Sequence, residues 1–270
     1  MKTLKTVFAS LLVLLAGRAL AVNSGSASNV PSVEVILERA LDQARLEDDQ
    51  EQAFKRTYFF TRKRVTEFKN AKGEVKKHEE KSSRHDPLRI RARDKQKAAM
   101  APKPIKVSTP AKPVSETETN IKGKAFEKSD FPLNGDLLSR FEFTFVKRDV
   151  INGRNAFVLD FKPANGPVPE RGLKDKFINK AAGRVWLDEA DAALVRADLY
   201  LTKRVNVVGG LVGAVWKFTC TMERERTTEG YWYVRRSNWH LEGREVFVHR
   251  TVDSNEERTE LRRAEPDAAR

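Results

Sequence analysis

Gly183-Arg184-Val185-Trp186-Leu187-Asp188, a turn at Glu189-Ala190-Asp191 and a return from Ala193 to Leu201 form the stretch whose reading decides the fold. Apolar and polar residues alternate along both arms, the period of a half-buried strand, and the short polar residues between them favour a turn. The stretch reads as a β-hairpin within a long antiparallel run. Between about Arg140 and Val252 the chain offers six or more such strands, with turn residues between them and almost no helical periodicity. A twisted sheet of that size has two faces to account for. A few helices can cover part of one, and a concave, aromatic-lined remainder suits an apolar guest better than a chemical reaction. The expected fold class is mainly β with a few helices.

Upstream of that hairpin, Phe141, Phe143 and Phe145 alternate with Glu142, Thr144 and Val146, so one face is aromatic. Asn152-Gly153 is the pair that best tolerates the positive φ angles of a tight hairpin turn, and Phe157, Leu159 and Phe161 return on the partner strand. Downstream, Trp216, Phe218, Cys220 and Met222 are read onto one face, opposed by Lys217, Thr219, Thr221 and Glu223. Tyr231 and Tyr233 oppose Trp232 and Val234, so that strand is expected in the middle of the sheet. Glu242-Gly243 is read as the turn into a last strand with Val246, Val248 and Val252, after which residues 254–270 form a charged tail that frays. Val205 to Val215 holds Gly209-Gly210 and Gly213 among valines and leucine, with no charge from Arg204 to Lys217; it reads as a gate that touches lipid or as a tight turn with a buried end.

The amino-terminal half has a different grammar. Lys2 and Lys5 precede an apolar run from Val7 to Ala16, and Ala19-Leu20-Ala21 is a small-x-small cleavage motif, so residues 1–21 read as a secretory signal peptide. The run is roughly half the length a bilayer crossing needs, which weighs against a retained anchor. Val22 to Val30 contains no cysteine to acylate at that site. Pro31-Ser32 opens a helix with Val33, Ile36, Leu37, Ala40, Leu41 and Ala44 on one face, which the acidic run Glu47, Asp48, Asp49 and Glu51 ends. From Phe54 the period switches to two, a turn follows at Asn70 to Gly73, and Glu74 to about Arg84 reads as a charged, exposed pairing strand. Residues 22–253 are expected to form a single domain, with a basic, Pro-rich insertion at about 95–118 that is either disordered or a functional cover.

The formal net charge of +13 is concentrated: Lys55 to Lys106 holds 18 Lys and Arg against 6 Asp and Glu. That stretch shows no zinc spacing, recognition helix or RNA-binding aromatic signature, so nucleic acid is not expected. Anionic lipid head groups or an acidic partner protein would be attracted, and simple solvation of the surface is the alternative. The single Cys220 cannot form an internal disulfide and reads as a buried, inert thiol. His78, His85, His240 and His249 lack ligand spacing, and there is no nucleophile elbow or phosphate-binding glycine loop. Asp188, Glu189 and Asp191 cluster at a hairpin turn, where short polar side chains serve the turn itself. No enzyme activity, metal or cofactor is expected.

Together, the amino-terminal signal, one amphipathic helix, an extended strand pair and the later Gly-x-Val-Trp-Leu-Asp hairpin resemble the LolA-like family of outer-membrane lipoprotein-sorting proteins. The resemblance runs over about Val33 to Val252 and leaves the basic Pro-rich insertion outside. It implies an antiparallel sheet curved into an open, incomplete β-barrel covered by helices, with a hydrophobic cavity that takes acyl chains. The family's lid-contacting arginine has no assigned counterpart here. The partners implied are lipid or an acylated lipoprotein, with an anionic membrane surface or membrane protein as a further contact, in the periplasm of a Gram-negative bacterium. The cavity candidates are Phe143, Phe145, Phe157, Leu159, Trp186, Trp216, Phe218 and Tyr233. The alternative is a non-catalytic periplasmic sensor or scaffold that docks an acidic protein through its basic segment.

Overall fold

The computed structural model describes residues 30–99, 135–166, 168–170, 172–207 and 213–265. The stretch read as a signal peptide, most of the Pro-rich insertion, Gly209-Gly210 and the last five residues lie outside the described residues. The chain divides by internal contacts into Met1–Pro31 and Ser32–Arg270, and the second unit holds all the described strands and helices of the fold.

Ser32 caps the first helix, its hydroxyl accepting from the Val35 N–H, and α1 runs Val33–Thr57. It is a full thirteen residues longer than the apolar stripe ending at Ala44. The stripe continues at helical spacing as Glu47, Glu51 and Phe54, and the acidic positions keep the helix going because they meet cations. Glu47 accepts from Arg224 of the sheet at 2.6 Å, and Glu51 pairs with Lys55 at i,i+4. Phe54 then closes the helix against the core, fully buried.

The strands follow as β1 (Tyr58–Lys69), β2 (Val75–His85), β3 (Phe141–Ile151), β4 (Arg154–Pro163), β5 (Ala181–Asp188), β6 (Leu194–Leu201), β7 (Val205–Val207), β8 (Gly213–Arg226), β9 (Trp232–Glu245) and β10 (Val248–Arg263). Short helices α2 (Pro87–Ala99), α3 (Gly135–Leu138) and α4 (Leu173–Ile178) intervene. All described pairings are antiparallel, in the order β2-β1-β10-β9-β8-β6-β5-β4-β3 with β7 on β8. The ends of this order, β2 and β3, are not paired to each other, so the sheet is not closed. The class is the expected one: a mainly antiparallel, open sheet with few helices.

The Asn152-Gly153 turn has both residues at positive φ, 51° and 74°, as a tight hairpin requires. The β5–β6 hairpin also forms as read, and β9 is interior to the sheet. Three readings are corrected. Glu242-Gly243 is not a turn: both lie within β9, and a Cβ on Gly243 would stand 2.4 Å from the Ala214 carbonyl oxygen of the neighbouring strand. The turn falls at Val246-Phe247. Residues 254–263 are not tail but the second half of β10, paired with β1 along its length; Glu256 and Glu257 stand opposite Arg64 and Lys63, while Arg258 faces Arg62. Lys95 to Ala99, read as the start of the linker, are the end of α2, a helix whose start is written in Asp86-Pro87: Asp86 accepts the Leu88 N–H and Pro87 takes the first helical position, buried.

Candidate functional site

Register places the side chains of the sheet in rows that cross many strands. One row reads Lys81, Arg64, Glu256, Ser237, Met222, Ala197, Val185, Leu159, Phe145, from β2 to β3. The next reads Glu79, Thr66, Ser254, Trp239, Cys220, Leu199, Gly183, Phe161, Phe143. A third runs Lys77, Phe68, Val252, Leu241, Phe218. The face is therefore graded: charged over β2, β1 and half of β10, apolar from β9 to β3. The intervening residues form the opposite, polar face, as in Val65, Asn255, Asn238, Thr221, Asp198, Arg184, Asp160.

Three layers sit on the graded face. At the centre, Val215, Phe218, Cys220, Trp239, Leu241 and Val252 pack as a buried cluster, with Phe177 of α4 edge-on to Phe218. At the end of α1, Phe54 stacks on Tyr58, Phe60 and Tyr233, with ring centroids 5.0 to 5.4 Å apart. Toward β3, Phe143, Phe145, Val185, Leu199 and Met222 are only half-buried, so an apolar strip stays partly open beside the sealed core.

The charged corner lies under the acidic middle of α1. Arg62 grips Glu256 through Nε and Nη2 at 2.7 and 2.8 Å, and Arg64 shares the same carboxylate at 2.9 Å. Burial pushes the Glu256 carboxyl up, but the two guanidinium groups outweigh it and hold the group below its usual range. Arg258 faces Arg62 across the ladder and lies over the Phe60 ring at 5.3 Å. Its Nε is buried with no acceptor, and burial lowers its affinity for the proton.

The eight sequence candidates divide. Phe143, Phe145, Leu159 and Phe218 stand in the rows; Phe157 is beside them, 6.4 Å from Phe145, and Tyr233 is in the Phe54 cluster. Trp186 and Trp216 are not brought to this face. Trp186 pairs in register with Val158 and Arg196 on the polar face, where it packs on Trp232 and Val195 beneath the Arg196 guanidinium. Trp216 is the extra residue of a bulge, since Val215 pairs with Gly243 and Lys217 with Glu242; it leaves the alternation, half-exposed against His249. Missing from the candidates were Met222, Leu199 and Val185, which only the register places in line with Phe143 and Phe145, and the arginine corner, whose residues are spread over 200 positions of sequence.

No protein-family model matches the chain, and no curated protein matches it. Among solved structures the chain is similar to a domain described as outer membrane lipoprotein-sorting from Vibrio parahaemolyticus, at 16% identity over 84% of this chain and 93% of that one, with a TM-score of 0.33. It is similar to a DUF1329 family protein from Desulfovibrio piger at 14% identity, 84% and 92% coverage and a TM-score of 0.31. A LolA superfamily protein from Nitrosomonas europaea matches at 11% identity, 88% and 96% coverage and a TM-score of 0.32. At identities this low, function has to be argued from the residues of this chain.

Away from the apolar strip, the polar side chains engage one another. Asp188, Asp191, Arg154, Arg226 and Trp232 interlock around the β5–β6 turn, and the Asp188 carboxylate accepts the Ala190 and Asp191 N–H groups at 3.0 and 2.7 Å. That is a turn built to hold its own shape. His240 stands between Asp253 and Glu242 on the polar face, at 2.6 and 2.8 Å, tied in turn to Lys69 and Lys217. Among the described residues no group of three or more His, Cys, Asp or Glu is placed to hold a metal ion. No described helix is long and apolar enough to cross a membrane. A cleft of about 250 Å³ opens between Asn152, Arg154, Arg226 and Trp232, on the far side of the sheet from the apolar strip.

Proposed function

We propose that the chain is a non-catalytic carrier, exported by its 1–21 signal to the periplasm of a Gram-negative bacterium, that holds lipid or the acyl chains of lipoproteins for transport or sorting towards the outer membrane. The observation that supports it is the partly open apolar strip of Phe143, Phe145, Val185, Leu199 and Met222, continuous with a sealed core and laid out on one face of a rigid antiparallel sheet. Each methylene taken out of water there contributes about 0.8 kcal/mol, so one or two acyl chains bind through burial alone, without a specific polar contact. Phe157 and Leu159 lie beside Phe145 in that strip, Phe218 belongs to the sealed core and Tyr233 to the Phe54 cluster. The helix α1 is the cover: it stays anchored through the buried Phe54 at its end, while Ile36 and Ala40 and the polar ties of Arg39 to the carbonyls of Glu189 and Ala190 and of Glu47 to Arg224 can lift away.

Organic extracts of the natively purified, detergent-free protein, compared by mass spectrometry with a matched control protein, test this. A stoichiometric phospholipid or acylated species is expected. An extract that stays clean after challenge with lipid overturns the carrier reading and moves it to a scaffold that docks an acidic protein, whose complex would dissociate as ionic strength rises.

A further inference from the structure

The charged end of the graded face is the one part of it that acyl-chain burial does not use. Two arginines, Arg62 and Arg64, hold one carboxylate there, Glu256, and a third, Arg258, is directly opposed to Arg62 on the neighbouring strand, a like-charge pairing that costs stability unless an anion lies between or beside it. Arg258 donates no hydrogen bond to a described residue. Its Nε is buried without an acceptor, its guanidinium lies over the Phe60 ring at 5.3 Å, and the acids near it are Glu256, already engaged, and Glu51 of α1, which also holds Lys55. Of the cations nearby, Arg224 is taken by Glu47, and Arg235 donates to the Arg258 carbonyl and pairs with Glu225. A rigid, half-desolvated guanidinium with unused donors is the side-chain form best suited to bidentate recognition of a phosphate or carboxylate. Beside Arg64 lies a small hollow lined by Arg64, Thr66, Glu79 and Lys81, and the register row through Arg64 and Glu256 leads on to Met222, Val185 and Phe145.

We infer that this corner binds the oxyanion head, phosphate or carboxylate, of an amphiphile whose alkyl chain lies along the apolar rows, so that the carrier selects anionic over neutral cargo. The inference rests on the carrier reading above. The head competes with Glu51 and Glu47 for the arginines, so its arrival loosens the acidic middle of α1 from the sheet and couples cargo binding to movement of the cover.

Titration calorimetry of the purified chain with dodecyl phosphate, dodecyl maltoside and inorganic phosphate tests it, with Arg258→Gln and Arg62→Gln variants alongside. Arg62 is the more exposed of the two and keeps the comparison informative if Arg258→Gln does not fold, as judged by thermal melting. The expected result is at least about tenfold tighter binding of dodecyl phosphate than of dodecyl maltoside, with that preference lost in both folded variants and maltoside affinity unchanged. Equal binding of the two amphiphiles by the natural chain, or a preference that survives in the folded variants, overturns the inference and leaves the carrier reading intact. Inorganic phosphate binding as tightly as dodecyl phosphate overturns the link between head and chain, since the corner would then serve free anions. Failure of both amphiphiles to bind removes the carrier reading itself.

Discussion

The Arg154 guanidinium grips the Asp188 carboxylate with two parallel hydrogen bonds, Nε to Oδ2 at 2.6 Å and Nη2 to Oδ1 at 2.8 Å, and the carboxylate is 1% exposed. One pair thereby locks the β3–β4 hairpin to the β5–β6 turn. Arg154→Ala leaves a buried, uncompensated charge, and a loss of about 3–5 kcal/mol is expected, read as the shift in the urea unfolding midpoint. A loss under about 1 kcal/mol would mean that water reaches Asp188.

The same pair sets an acid limit. Burial raises the Asp188 pKa, but Arg154 and the Asp191 and Ala190 amides outweigh it and the group ends below its usual value. A carboxylate depressed in the folded state contributes stability that is fully present above its unfolded pKa, near 3.9, and is lost as pH falls through the lower folded value. The natural chain is therefore expected to lose stability below about pH 4 more steeply than Asp188→Asn, which starts lower at neutral pH. Parallel slopes in a pH series of urea melts would contradict this.

Phe54 makes α1 part of the core rather than an attachment. It is fully buried and stacked with Tyr58, Phe60 and Tyr233, so Phe54→Ala is expected to cost about 3–5 kcal/mol. Hydrogen exchange of the Val33–Thr57 amides then shows whether the whole helix loosens, as expected of a cover anchored at its end.

Gly183, which opens the motif hairpin, has no room for a side chain: a Cβ there would lie 2.0 Å from the Asp198 carbonyl oxygen, a backbone atom that cannot swing away. Gly183→Ala is expected to destabilise the sheet by about 3 kcal/mol, measured by thermal unfolding. Gly73→Ala is a control for space rather than for backbone freedom, since nothing lies within 4 Å of its Cβ position and its cost comes from a φ of 81°.

Cys220 is buried in the central cluster, and burial pushes its thiol up to about 11. At mildly alkaline pH the folded protein is expected to react with a maleimide on the order of 100-fold more slowly than the same chain in guanidinium, where the thiol returns to about 8.5. Comparable rates in the two states would mean that the central cluster opens readily.

Strand alternation, the Asn-Gly turn and the Gly-x-Val-Trp-Leu-Asp hairpin were legible because each is local: two residues of period, or one turn, decide the backbone. The misreadings came where a distant partner settles the matter. Glu47 and Glu51 read as the end of a helix because what they face, Arg224 and Arg258, lies about 180 and 210 residues away in sequence. Glu242-Gly243 looked like a turn because the glycine's reason, the close approach of the Ala214 carbonyl, lies on another strand. Trp216 was counted with Phe218 because a single extra residue, invisible to a period-two reading, shifts everything before it.

Sequence by itself determined the class of fold, the antiparallel hairpins, the first helix's start and the one-sided aromatic character of the sheet, since these follow from local periodicity and turn chemistry. The register across nine strands was decided only by the tertiary structure. It sets Arg64 and Phe145 in one row and gives the face its gradient from charge to hydrocarbon, because which residues share a row depends on bulges and on the pairing of β1 with β10, about 200 residues apart in sequence.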